Sequence, residues 1–122
     1  MLINLESFRL SDNLITGDIP TKIGFLRSLV ELDLSKNDLA GTIPSELGIL
    51  DLLTNLSFEL NTKLNGEIPS ELGNLTLLTS LSFESDFLTG SIPSELGRLD
   101  LLTFANFADN PLSGTVPMEL AV

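Results

Sequence analysis

Glu59, in the stretch Ser57-Phe58-Glu59-Leu60, and Glu84, in Ser82-Phe83-Glu84-Ser85, sit in matching local contexts. Paired carboxylates are the raw material of glycoside hydrolysis, where one acid protonates the leaving oxygen and the other serves as base or nucleophile. They could also offer oxygen ligands to a cation such as calcium. Little else in the chain could do chemistry. There is no His and no Cys among 122 residues, which removes thiolate nucleophiles, the Ser-His-Asp and Cys-His arrangements and the usual zinc and copper ligands. The 17 acidic residues against 6 basic ones give a formal charge of −11, so the field of the molecule repels nucleic acid and anionic lipid and favours a neutral or basic partner. The acids run from Glu6 to Glu119 without a block of like charge, which is the distribution of a solvated surface.

A repeat positions those carboxylates. Ile-Pro recurs at Ile19-Pro20, Ile43-Pro44, Ile68-Pro69 and Ile92-Pro93, with Val116-Pro117 as a fifth copy, each following one of Gly17, Gly41, Gly66, Gly90 and Gly114 by two residues. The glycines are spaced 24, 25, 24 and 24 residues apart, a period in the solenoid range. Upstream, the pattern L-x-x-L-x-L-x-x-N-x-L is cleanest at Leu29, Leu32, Leu34, Asn37 and Leu39. Variants start at Leu5, Leu53, Leu78 and Leu102, and the third carries one extra residue at Thr62-Lys63. Downstream, Ser-Glu-Leu-Gly recurs at Ser45, Ser70 and Ser94, with Thr21-Lys22-Ile23-Gly24 as its first variant.

Joined, these halves resemble the plant-type leucine-rich repeat, whose signature links L-x-x-L-x-L-x-x-N-x-L to x-G-x-I-P-x-x-L-G-x-L-x-x-L. The resemblance covers nearly the whole chain and makes residues 1–122 a single array of about five repeats. It implies an α/β repeat solenoid: a right-handed superhelix with a parallel β-sheet on the concave face and short 3-10 or helical turns on the convex side. It also implies recognition outside the cell or at its surface; the missing His and Cys make a non-catalytic role the expectation, and no cofactor is expected. Receptor-like kinases, receptor-like proteins and inhibitors of polysaccharide-degrading enzymes commonly carry such arrays.

Alternation in Leu-x-Leu sends two side chains to one face of a short strand, and parallel neighbours about 4.8 Å apart build them into inward columns. Asn13, Asn37, Asn61 and Asn110 are expected to form a structural ladder, because a buried amide donates and accepts where the strand turns away. Asp86 breaks that ladder: ionised, it cannot donate, so this turn is expected to lose a bond or hold a protonated or water-bridged acid. Proline after isoleucine presets φ for a short helical turn, with Glu46, Glu71, Glu95 and Glu119 expected to cap it. Gly48, Gly73 and Gly97 are expected to end those turns.

The same alternation turns five rows outward: Ser7, Arg9, Ser11; Glu31, Asp33, Ser35; Asn55, Ser57, Glu59; Ser80, Ser82, Glu84; and Phe104, Asn106, Ala108. These are the candidate ligand contacts. Phe104 stands out as an aromatic anchor or as surface that a further repeat would cover. Glu59 and Glu84 fall within about 5 Å of each other by strand spacing, a like-charge pair relieved by water, a Lys or Arg, or a calcium ion. Hydration is the reading taken, and no metal site is assigned. An open sheet of five repeats lacks the enclosure that raises one acid's pKa, which counts against hydrolysis.

The expected function is therefore recognition of a protein or peptide through the concave face. The alternative is a structural, adhesive or ice-binding array whose regular spacing is itself the function. Irregularity along the row Ser7, Glu31, Asn55, Ser80, Phe104 favours recognition. The N-terminus lacks the pattern of a signal peptide, and no run is long and apolar enough to insert in a membrane. The sequons Asn55-Leu56-Ser57 and Asn74-Leu75-Thr76 are compatible with secretion, and a glycan on Asn55 would obstruct the concave face. The repeat pattern is cut at both Met1 and Val122, so an uncapped fragment of a longer array is expected, with end-to-end self-association.

Overall fold

The computed structural model describes residues 2–120; Met1 and Val122, on which the expectation about the ends rests, lie outside them. The Leu-x-Leu segments form short strands, β1 (Ser7–Arg9), β3 (Glu31–Asp33), β5 (Asn55–Ser57), β7 (Ser80–Ser82) and β9 (Phe104–Asn106), which pair in parallel as one five-stranded sheet. Register follows the repeat: Phe8, Leu32, Leu56, Leu81 and Ala105 lie opposite one another in turn. Side chains from this column and its neighbours make the core. Leu29, Leu32, Leu53, Leu56, Leu78 and Leu81 are buried, and Phe58, Phe83 and Phe107 stack with centroids 5.7 and 6.1 Å apart. Their offset stacking lets aromatics replace leucine in successive coils without interrupting the column.

A second parallel sheet, unforeseen from the sequence, runs through β2 (Thr16–Asp18), β4 (Asp38–Thr42), β6 (Lys63–Glu67) and β8 (Phe87–Thr89). Each of its strands contains one of Gly17, Gly41 and Gly66, or ends beside Gly90, and all four have positive φ.

Short 3-10 turns then return the chain: Thr21–Phe25, Ser45–Ile49, Ser70–Asn74, Ser94–Arg98 and Met118–Leu120. The prolines preset φ as expected but stand as N-caps in extended conformation, Pro44 at φ −66° and ψ 131° for example, one residue outside the turn. Their carbonyls accept the first turn bond, as in Leu47 N–H to Pro44 at 3.2 Å. Glu46, Glu71, Glu95 and Glu119 do lie in the first turns, yet no N-cap side chain makes a capping bond in the four longer turns. Their favourable term is thus the field of the turn alone.

Gly48, Gly73 and Gly97 do not end the turns. They are the fourth residue of five, with Leu50, Leu75 and Leu99 beyond them as C-caps. A Cβ on Gly48 would run into the Glu71 carbonyl, and one on Gly73 into that of Glu95. These glycines let successive coils approach backbone to backbone.

Candidate ligand-binding face

The outward rows are brought together as the alternation requires. Parallel register places Ser7, Glu31, Asn55, Ser80 and Phe104 in one line and Arg9, Asp33, Ser57, Ser82 and Asn106 in the next. Ser11, Ser35, Glu59, Glu84 and Ala108 occupy the position two residues further on.

Polar side chains on this face engage one another across repeats. Arg9 donates from Nη2 to Glu31 Oε2 at 2.6 Å, and Ser7 Oγ donates to the same oxygen at 3.3 Å. The hydrogen bond from Arg9 holds Glu31 below the usual carboxylate range, and Arg9 is raised in return. Within the second repeat, Ser35 Oγ donates to Asp33 at 2.6 Å. A small hollow of about 190 Å³ lies among Glu31, Asp33, Asn55, Ser57 and Ser80.

The Glu59 and Glu84 carboxylates are not left as a bare pair. Ser82 Oγ donates to Glu59 at 3.0 Å, and Asn106 Nδ2 donates to Glu84 at 2.7 Å. Each acid therefore takes a donor from the following repeat, which relieves the repulsion without a cation. Ser82, 4% exposed, is consumed by that role and offers a ligand less than its position suggests. Among the described residues no cluster of three or more His, Cys, Asp or Glu is gathered for a metal ion. Phe104, by contrast, is 51% exposed.

The asparagine ladder lies directly behind this face. Asn61 is fully buried, donates to the carbonyls of Leu34 at 3.0 Å and Phe58 at 2.6 Å, and accepts from Leu39 N–H at 3.1 Å. Asn37 and Asn110 make the same pattern of bonds, while Asn13, on the first coil, donates to Leu10 and Ser11. Asp86, 2% exposed, accepts from Asn61 N–H at 2.8 Å through Oδ1, and its buried Oδ2 has no partner. Burial, aided by the Glu59 charge and opposed by the Asn61 hydrogen bond, pushes its carboxyl up to about 7.

Sequence reasoning missed features outside the rows. Thr54, Thr79 and Thr103 form a hydroxyl ladder, each donating to the carbonyl of Val30, Thr54 or Thr79 at 3.0 to 3.1 Å. Beside it, Leu52, Leu77 and Leu101 are exposed in equivalent positions. Their regular spacing was the available signal. Two further aromatics are exposed, Phe25 at the end of the first 3-10 turn and Phe87 on β8, whose strand was not foreseen.

This combination of inward leucine columns, a buried amide ladder and a varied outward sheet defines a leucine-rich-repeat solenoid. The Leucine Rich Repeat family matches residues 4–26 and 28–50. No curated protein matches significantly. Among solved structures, the BIR2 ectodomain from Arabidopsis thaliana is 37% identical with a TM-score of 0.87 over 93% of this chain and 59% of that one. The ectodomain of the Arabidopsis receptor kinase HAESA, in complex with an N-terminally extended IDA peptide hormone, is 38% identical with a TM-score of 0.94 over 98% of this chain and 20% of that one. The complex of BIR3 with SERK2 from Arabidopsis thaliana includes a chain 42% identical with a TM-score of 0.90, over 97% of this chain and 63% of that one. This chain is a plant-type leucine-rich-repeat module resembling the ectodomains of leucine-rich-repeat receptor kinases, and it spans less than two thirds of the length of these relatives.

Proposed function

We propose that this chain is a non-catalytic recognition module that works outside the cell or at its surface, binding a neutral or basic peptide or protein through its concave five-stranded face. The observation that carries this reading is the contrast between the two faces of one sheet. Inward positions keep leucine or phenylalanine in nearly every coil, whereas the outward line changes from Ser7 to Glu31, Asn55, Ser80 and exposed Phe104. Packing demands the first; nothing in the packing demands the second. A mixed polar surface with one exposed aromatic is the composition of a specific interface, in which a few anchors carry most of the energy. Solved relatives whose ectodomains hold peptide hormones support the same reading.

Selection of a displayed random peptide library against the immobilised chain tests it. Peptides rich in Lys or Arg are expected, and Phe104→Ala and Glu31→Lys should each weaken their binding about tenfold or more, the effect of losing an anchor. Unchanged binding by both folded variants would move the site elsewhere.

The regular column of Leu52, Leu77 and Leu101 favours a second reading, an adhesive or ice-binding array. The threonines beside it have already donated their hydroxyl protons within the chain. An ice-recrystallisation assay separates the two readings, since a spacing-based surface acts without any peptide.

A further inference from the structure

The ladder carbonyls behind the concave sheet are not equally satisfied. Leu10 accepts from two ladder amides, Asn13 at 3.0 Å and Asn37 at 2.8 Å, and Leu34 accepts from Asn37 at 3.1 Å and Asn61 at 3.0 Å. Phe58 accepts from Asn61 alone of the ladder, and Phe83 from Asn110 alone, both at 2.6 Å. By the equivalence of coils, the missing second donor to both carbonyls is the side chain at position 86, where the ladder has aspartate. Its Oδ2 is buried and unpartnered.

The extra residue of the third repeat lies at the same junction. In regular coils the ladder oxygen accepts from the amide two residues past the preceding asparagine, as Asn37 does from Ile15 and Asn61 from Leu39. Around Thr62-Lys63 the chain instead turns on itself, with Leu64 N–H bonded to the Asn61 carbonyl at 2.9 Å, and Asp86 Oδ1 takes Asn61 N–H. The third and fourth repeats are thus joined at this point through Asp86.

We propose that Asp86 is a proton-operated latch: protonated, it ties the third and fourth repeats together as the ladder amides tie the others, and its ionisation loosens that one junction. A neutral carboxyl has one O–H, so Oδ2 supplies a donor to Phe58 or Phe83 while Oδ1 keeps accepting from Asn61. Loss of that proton to solvent leaves a buried oxygen lone pair where the fold offers carbonyl lone pairs, and an unpaired buried charge is costly. The charged groups on the turns stacked against Asp86 are Glu59 and Lys63 before it, Glu84 on its own coil and Asp109 after it. Glu59 is the one whose charge acts on Asp86, and it opposes ionisation. Lys63 is engaged with Asp38 at 2.6 Å. The seam that the latch holds is the one bridged on the concave face by Ser82 and Glu59.

The test needs no ligand. The carboxyl carbon of Asp86 is followed by NMR across pH, and urea unfolding is measured over the same range for the wild type and Asp86→Asn. The latch predicts a midpoint about three pH units above that of an ordinary aspartate, and an unfolding constant that rises by up to about tenfold per pH unit in the wild type relative to Asp86→Asn. Glu59→Gln should lower the midpoint. A midpoint near pH 4, or unfolding curves for wild type and Asp86→Asn that run parallel, would overturn the proposal. If Asp86→Asn fails to fold, the NMR midpoint decides alone.

Discussion

Leu60 occupies a backbone conformation that its side chain resists. Five residues, Asp12, Lys36, Leu60, Ser85 and Asp109, precede the ladder position with φ between 53° and 60°. The amides of the first four reach the following coil, as Leu60 N–H does to the Glu84 carbonyl at 2.8 Å, and these bonds hold the left-handed turn in place. Aspartate tolerates that region and leucine does not, at a cost of roughly 1–2 kcal/mol. Leu60 is 43% exposed, so its replacement gives up little burial. Leu60→Asn is expected to raise the free energy of urea unfolding by about 1 kcal/mol. Asp86→Asn should stabilise the chain too, with a dependence on pH. The folded-state value of about 7 lies above the ordinary 3.8, so the folded chain holds an extra proton between them; stability is fullest below that window and falls as pH rises through it. At pH about 7.5 the asparagine variant should gain on the order of 2–4 kcal/mol, and at pH about 4 almost nothing, by thermal or urea melts. The ladder and its break at Asp86 were legible in the sequence, because an amide and a carboxylate differ in what they can donate. The strain at Leu60 was not, because a turn closed by inter-coil bonds overrides local preference.

At the scale of elements, ladder and turn explain why these residue types stay put. Removing Asn61 would orphan the Leu39 amide and remove one ladder donor from each of the Leu34 and Phe58 carbonyls. Asn61→Ala is expected to cost about 3 kcal/mol in urea unfolding, against about 1 for Asn13→Ala on the exposed first coil, where water replaces the lost bonds. Gly73→Ala should cost more than 2 kcal/mol by the same measurement, since overpacking against a backbone carbonyl cannot be relieved by a side-chain rotation. The Leu-x-Leu strands, their register and the turns were legible because periodicity records which side chains are inward. The second sheet was not. Its strands are built from Thr-Gly-Asp, Lys-Leu-Asn-Gly-Glu and similar stretches, low in β propensity, and backbone pairing between stacked coils makes them. Likewise, a glycine that ends a turn and a glycine that admits a neighbouring backbone look alike in sequence; only the packed coils distinguish them.

The whole molecule is a stack with two ends and one varied face. β1 and β9 each have a single neighbour among the described residues, and the half-buried Phe8 and Leu10 at one end, with Phe107 and Leu112 at the other, continue the inward columns. End-to-end association of the isolated chain is therefore expected, opposed by its charge of −11. Light scattering should show mass rising with protein concentration and rising further with added salt, which screens the repulsion. A constant monomer mass would contradict this. The face itself was legible as a set of positions, because the rows follow from alternation, but not as a set of available groups: Ser82 and Asn106 serve Glu59 and Glu84, and Arg9 serves Glu31. What remains free for a ligand is centred on Phe104 and on the hollow between Glu31 and Ser80. Backbone NMR of the labelled chain, titrated with a peptide selected against it, tests the central claim most directly. The shifts are predicted to cluster on Ser7–Arg9, Glu31–Asp33, Asn55–Ser57, Ser80–Ser82 and Phe104–Asn106, and to spare the 3-10 turns. Shifts concentrated on Ser45–Ile49, Ser70–Asn74 and Ser94–Arg98, with the five strands silent, would contradict it.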